Sequence, residues 1–302
     1  MKAARNRYSR RTVVVAAAFA VAAGQPSFAG KPSPASASLG PDLQRCTERL
    51  PNALLKEQLP CLQGLRRAGP AASTAIPTLT GILARSDGAT DHLLIAAVLD
   101  VFRSLGGQAA PVAETLSGLL PHRSRLYRDR DKILVARLRA YIMVTLSDIG
   151  VPPSALPAIL DSLAHVDERV MPIEVGAAAR AGRSLGPKGR ALAPYLVIAI
   201  SRQISEEEFS LERYEPRFPA DEATTIQLEA VRCLGRISSA KDREVLDALR
   251  QFADAPEGSE LDPRVVREAR HALDRITMNH RAGSIGHPAV ARRDSRRQGD
   301  RQ

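Results

Sequence analysis

The sequence predicts an all-α fold, an α-solenoid of about six stacked antiparallel helix pairs. Three observations predict it. Arg103-Ser104-Leu105-Gly106 returns as Arg183-Ser184-Leu185-Gly186 and nearly as Arg232-Cys233-Leu234-Gly235, with weaker copies at Arg66-Arg67-Ala68-Gly69 and Ser147-Asp148-Ile149-Gly150. The glycines stand 37, 44, 36 and 49 residues apart, and self-similarity at that period marks a helical repeat array. Each glycine closes an apolar run of helical spacing, and a second such run follows it.

The first helix of each repeat comes from counting back from its glycine. One residue back stand Ala68, Leu105, Ile149, Leu185 and Leu234; four back, Leu65, Phe102, Leu146, Gly182 and Val231; seven back, Leu62, Leu99, Met143, Ala179 and Leu228. Steps of three and four residues place these on one helix stripe. The glycine accepts the left-handed backbone that ends a helix. Pro77, Pro111, Pro157 and Pro194 then open the second helix, where a missing N–H costs least. The second stripe is Leu79 and Leu83, Leu116 and Leu120, Leu160 and Ala164, Leu196 and Ile200, and Val245 and Leu249. Neither helix hides its stripe alone, and stacking the pairs makes one continuous core. Aromatics are 4% and Trp is absent, so that core is Leu, Ile, Val and Ala.

Residues 262–276 (Asp-Pro-Arg-Val-Val-Arg-Glu-Ala-Arg-His-Ala-Leu-Asp-Arg-Ile) resemble the second helix of a HEAT repeat in its short bacterial form, with Val266-Arg267 near the start. Residues 181–186 and 230–235 resemble its end. The resemblance covers residues 41–276, in degenerate units, and armadillo-like and other α-solenoids share the pattern. It implies stacked helix pairs that bind another protein along a helical face, with no enzyme activity and no cofactor. Some bacterial HEAT-like proteins resemble phycobilin lyase subunits, which implies as an alternative an accessory subunit acting on a bound chromophore.

Residues 1–29 read as an export signal. Lys2, Arg5, Arg7, Arg10 and Arg11 precede the apolar run from Val13 to Ala23, and Ser27-Phe28-Ala29 is a small-x-small cleavage site. That run is too short for a bilayer, which takes about 20 residues. Ser9-Arg10-Arg11-Thr12 also resembles a twin-arginine signal, so the Sec and twin-arginine routes both stand, to a periplasmic or extracellular destination. Residues 30–40, rich in Pro, Ser, Ala and Gly, read as a flexible spacer.

The net charge of +10 misleads. Residues 1–29 carry +5 and residues 277–302 carry +4, which leaves +1 for the repeat body. A near-neutral body gives no ground for nucleic-acid binding. The Arg-rich stretch 277–302 reads as a disordered basic tail. Arg292, Arg293, Arg296 and Arg297 would let it meet an anionic polymer or membrane surface.

For Cys46 and Cys61 two readings stand. In an oxidising compartment they would bridge the first helix pair, closing a loop of about 15 residues worth roughly 3 kcal/mol. A hairpin turning at Pro51–Asn52 instead sets Cys46 opposite Leu55–Lys56, and the cysteines then read as buried thiols. Cys233, beside the apolar row, reads as buried.

Residues 203–223 interrupt the fifth repeat and explain the longest glycine spacing. Seven acids stand against Arg213 and Arg217 there, with Phe209, Tyr214 and Phe218 among them. Insertions leave a repeat array from one face and often carry contacts, so these aromatics are candidates beside the plainer reading of a solvated loop. Residues 121–130 form a shorter basic counterpart with Arg123, Arg125, Arg128 and Arg130.

Arg66, Arg103, Arg183 and Arg232 recur three residues before a glycine and flank the buried stripe. Stacking would line them up as a ladder suited to carboxylate, phosphate or sulfate groups on an extended partner. The competing reading is structural: a cation in the last turn complements the helix dipole, with surface ion pairs to Asp100 and Glu229 three residues before Arg103 and Arg232. Gly182-Arg183-Ser184-Leu185-Gly186 fits the spacing of a hydrolase elbow, but that motif needs a strand-to-helix turn. Here the serine ends a helix, and Ser104, Asp148 and Cys233 replace it in the sister repeats as solvent-side fillers. The six histidines form no zinc-ligand spacing, and no phosphate-binding glycine loop is present.

Overall fold

The computed structural model describes residues 39–164, 172–201, 208–209, 224–256, 258–259 and 261–285. By contacts the chain divides into Met1–Ser36 and Ala37–Gln302, and every described residue belongs to the second unit. The predicted signal, most of the spacer, Tyr214, Phe218 and the tail arginines lie outside the described residues. Helices α1 (Pro41–Arg49), α2 (Leu55–Ala68), α3 (Ile76–Arg85), α4 (His92–Leu105), α5 (Ala113–Leu119) and α6 (Lys132–Ile149) come first. After them follow α7 (Leu156–Ala164), α8 (Pro172–Leu185), α9 (Ala193–Ser201), α10 (Ile226–Ile237), α11 (Arg243–Ala253) and α12 (Pro263–Ile285). Strands β1 (Glu208–Phe209) and β2 (Thr224–Thr225) pair antiparallel, and β2 runs straight into α10. Phe209, one of the candidate insert contacts, lies in β1.

The described fold is all-helical apart from that small ribbon, and its helices pack on neighbours. Each even-numbered helix lies on the next: α2 on α4, α4 on α6, α6 on α8, α8 on α10 and α10 on α12. Each odd-numbered helix packs on the even one that follows it in the chain. The residues that drive this are the predicted first stripe. Leu65, Phe102, Leu146, Val231 and Leu234 are fully buried, and burying such a side chain contributes about 1.5–3 kcal/mol. Helix starts are local: Asp91, Asp131 and Thr225 accept from the backbone N–H of Leu93, Leu134 and Leu228. Gly69, Gly106 and Gly186 end their helices at φ +54°, and Gly150 at φ +117°.

Between the two helices of a repeat stands an element the stripes do not reveal, a 3₁₀ segment at Gly69–Ala75, Gly106–Val112 and Gly186–Leu192. It buries Ala72 and Ala75, Ala109 and Val112, Gly189 and Leu192. These sit three and six residues after their glycines, the period of a 3₁₀ turn. After Gly150 the 3₁₀ piece shrinks to Pro153–Ala155, so the next stripe shifts by one residue: Ile159 and Leu163 are buried, Leu160 is half-buried and Ala164 is exposed.

Gly235 departs from the predicted helix end. Helix α10 continues through it to Ile237, and a Cβ there would stand 2.7 Å from the Ala272 Cβ. This glycine lets α12 approach rather than turning the chain. Helix α12 in turn runs on past Ile276 to Ile285.

The first hairpin also turns later than predicted. A 3₁₀ turn at Leu50–Asn52 prolongs α1, so the chain reverses at Ala53–Leu54, midway between Cys46 and Cys61. The two cysteines are bridged, with Cα atoms 6.0 Å apart.

Candidate functional site

The four repeated arginines line the row of even-numbered helices, and each has a carboxylate beside it. Arg66 Nη1 on α2 stands 3.7 Å from Asp100 Oδ2 on α4. Arg103 Nε on α4 donates to Asp148 Oδ2 on α6 at 2.7 Å, and Arg180 Nη2 on α8 reaches Asp148 Oδ1 at 3.5 Å. Arg183 Nη1 on α8 lies 3.6 Å from Glu229 Oε2 on α10, whose Oε1 takes Arg232 Nη1 at 3.1 Å. Glu268 of α12 closes the line, 3.9 Å from Arg232 Nε and 3.7 Å from Arg275 Nη2. Cation and carboxylate thus alternate from helix to helix.

The expected pair within α10, Glu229 with Arg232, is present, but its carboxylate is buried rather than on the surface. On α4 the residue bonded to Arg103 comes from the next helix instead, and Asp148, expected as a solvent-side filler, is that acceptor. Burial pushes the Asp100 carboxyl up to about 6, against the pull of Arg103 and Arg66. The Arg103 side chain is 11% exposed, whereas Arg66, Arg183 and Arg232 keep 44%, 33% and 35%. Those three are the ladder members that keep part of their side chains open to solvent.

Cys233, the other expected filler, is fully buried, and burial pushes its thiol well above the usual range. Ser184 Oγ donates to the Ser147 carbonyl at 3.2 Å, across from α8 to α6. The hydroxyl braces a helix end.

A second feature lies where residues 121–131 join α5 to α6. Leu126 and Tyr127 are buried in a 3₁₀ turn, and Arg130 fastens the segment to the α3–α4 loop. Arg130 Nε donates to the Leu126 carbonyl at 2.7 Å, and its Nη2 donates to the carbonyls of Asp87, at 3.0 Å, and Thr90. A Cβ on Gly88 would sit 1.9 Å from the Arg128 carbonyl oxygen, so only glycine admits this contact between loops.

Next to this fastening is a cavity of about 330 Å³ lined by His122, Tyr127, Arg130, Lys132, Val135 and Glu174. Arg139, fully buried, backs it: its Nε donates to Glu174 Oε2 at 2.8 Å, its Nη1 to the Leu120 carbonyl at 2.7 Å and its Nη2 to Ser162 Oγ at 2.7 Å. Ser162 Oγ donates onward to Glu174 Oε2 at 3.1 Å. Burial raises the Glu174 carboxyl, with Arg139 and Ser162 opposing. Asp161 Oδ2 stands 3.4 Å from both His122 Nε2 and Arg139 Nη2. The Tyr127 hydroxyl is buried with no hydrogen-bond partner, and burial raises its pKa.

Sequence reasoning noticed the basic residues of 121–130 but not the cavity. Glu174 in its lining is held by Arg139 behind it, and the two buried charges stand 35 positions apart with no local pattern to link them. Among the described residues no His, Cys, Asp and Glu cluster is arranged to hold a metal ion. No protein-family model and no curated protein matches the chain.

Proposed function

We propose that the chain is an exported, non-enzymatic scaffold, a HEAT-like α-solenoid of about six helix pairs that holds another protein along a helical face. One observation carries this reading: the even-numbered helices pack in unbroken succession, each on the next, from α2 to α12. Such a row presents the same side-chain positions at regular intervals, which suits an extended partner. Arg66, Arg183 and Arg232 sit along it with part of each side chain in water, and acidic groups on the partner complement them.

The basic, apolar and small-residue order of residues 1–29 supports export. Intact-mass measurement of the secreted protein is expected to give a chain beginning at Gly30, and a cytosolic chain retaining Met1 refutes export.

Crosslinking mass spectrometry in intact cells tests the scaffold. The expected result is one reproducible protein partner crosslinked to several consecutive even-numbered helices. Extracytoplasmic pull-downs and crosslinks that yield no reproducible partner would sink the reading.

A further inference from the structure

Open arginines are not spread evenly along the even-numbered helices. Arg183 on α8, Arg232 on α10 and Arg275 on α12 stand on three successive helices, each about one-third exposed. Toward α2 the row breaks. Ser147 holds the arginine position on α6, where its Oγ donates to the Val144 carbonyl at 2.6 Å, and Arg103 on α4 is nearly covered.

Two carboxylates lie between the three arginines and use little of their donor capacity. Glu229 takes Arg232 Nη1 at 3.1 Å but stands 3.6 Å from Arg183 Nη1. Glu268 stands 3.9 Å from Arg232 Nε and 3.7 Å from Arg275 Nη2. Among the described residues Arg183 and Arg275 therefore donate no hydrogen bond, and each guanidinium has five N–H donors. Glu229 is buried, so it lies beneath the guanidinium groups rather than in front of them. Arg236, one turn past Arg232, is exposed and has no ion pair among the described residues. These four arginines stand against Glu229, Glu268 and the exposed Asp274, the acids of α10 and α12. The acid of α8, Glu174, is held by Arg139, and Asp148 is shared by Arg103 and Arg180. The face keeps a positive excess.

Spacing says what fits it. Helices in direct contact have axes roughly 8–10 Å apart, so equivalent arginines recur at about that interval. A polyproline-II chain rises about 3.1 Å per residue with three residues per turn, which returns one side to the same face about every 9 Å. A β-strand, at roughly 3.3 Å per residue and period two, offers about 7 or 13 Å instead.

We propose that the row Arg183, Arg232 and Arg275 docks a polyproline-II segment of the partner with Asp or Glu at every third residue, one carboxylate to each guanidinium. This names the partner's chemistry within the scaffold reading and rests on that reading.

NMR titration of the full chain at low salt, read on the arginine Nε–Hε signals, tests it with three peptides. Glu-Pro-Pro-Glu-Pro-Pro-Glu is expected to shift the signals of Arg183, Arg232 and Arg275. Its isomer Glu-Glu-Glu-Pro-Pro-Pro-Pro, of equal charge, is expected to bind about fivefold more weakly, because its acids cannot reach all three. The neutral Gln-Pro-Pro-Gln-Pro-Pro-Gln is expected not to bind. Arg183→Gln and Arg275→Gln are each expected to weaken the first peptide about two- to fivefold, whereas Arg66→Gln, off the row, leaves it unchanged. Both variants are expected to fold, since Glu229 keeps Arg232 and Glu268 is partly in water, and circular dichroism melts check this. The proposal is overturned if the first peptide does not bind, if the clustered isomer binds as tightly, or if Arg183→Gln and Arg275→Gln change nothing. A partner crosslinked to these helices through a segment without the three-residue spacing also overturns it, while upholding the scaffold reading.

Discussion

Asp100 makes the residue-scale case, because burial and two arginines pull its carboxyl in opposite directions. Burial wins, lifting it from 3.8 to about 6. Between those values the folded chain holds a proton that the unfolded chain releases, so the contribution of Asp100 to stability is fully present below pH 4, declines as pH rises to about 6 and levels off above it. The shift caps the decline at about 3 kcal/mol. Asp100→Asn is expected to remove it, and urea midpoints of parent and variant at pH 4 to 7 measure the difference. Glycines separate just as sharply by surroundings. Gly235→Ala drives a methyl to 2.7 Å from the Ala272 Cβ, and overpacking of about 1–3 kcal/mol outweighs the gain of roughly 1 kcal/mol in helix propensity. Gly118, in α5 with nothing within 4 Å of an added Cβ, has no such neighbour. Gly118→Ala is expected to stabilise by about 0.4–1 kcal/mol, and paired denaturation curves give both signs at once.

Elements were legible where they obey a single period. The stripes through Phe102, Leu146 and Val231 mark their helices because each repeats every three or four residues on one face. The 3₁₀ segments stayed hidden because Ala72 with Ala75 and Gly189 with Leu192 are small residues whose spacing of three also occurs in α-helices. Missing the shortened segment at Pro153–Ala155 cost one residue of register, which put Leu160 where Ile159 belongs. Gly235 misled because a glycine that ends a helix and one that admits a neighbour look alike in one dimension. The arginines were visible, but their partners were not, since Asp148 and Glu229 reach Arg103 and Arg183 from different helices. The hairpin of α1 and α2 depends on a 3₁₀ turn for its register, and with it for the Cys46–Cys61 bridge. Cys61→Ser is expected to cost about 3 kcal/mol by the loop-entropy argument for a separation of 15 residues. Hydrogen exchange should show the loss concentrated in α1 rather than spread through α10 and α12.

At the scale of the molecule, the described helices pack on neighbours in chain order, and Asp148 is the joint where three consecutive even-numbered helices meet through Arg103 and Arg180. Asp148→Ala leaves two largely covered guanidinium groups short of an acceptor, at a cost of about 1–3 kcal/mol. Because coupling in such an array is to nearest neighbours, amide exchange is expected to quicken in α4, α6 and α8 and stay unchanged in α2 and α12. The same succession of contacts governs the response to mechanical tension. Stretched from its two ends, a chain held by neighbour contacts lengthens in discrete steps as successive helix pairs peel away, rather than in one rupture. The sulfur bridge sits inside the first of these pairs and shields its 15-residue span from the load. At roughly 3.4 Å per residue it withholds about 50 Å of extension, which a reducing agent would release.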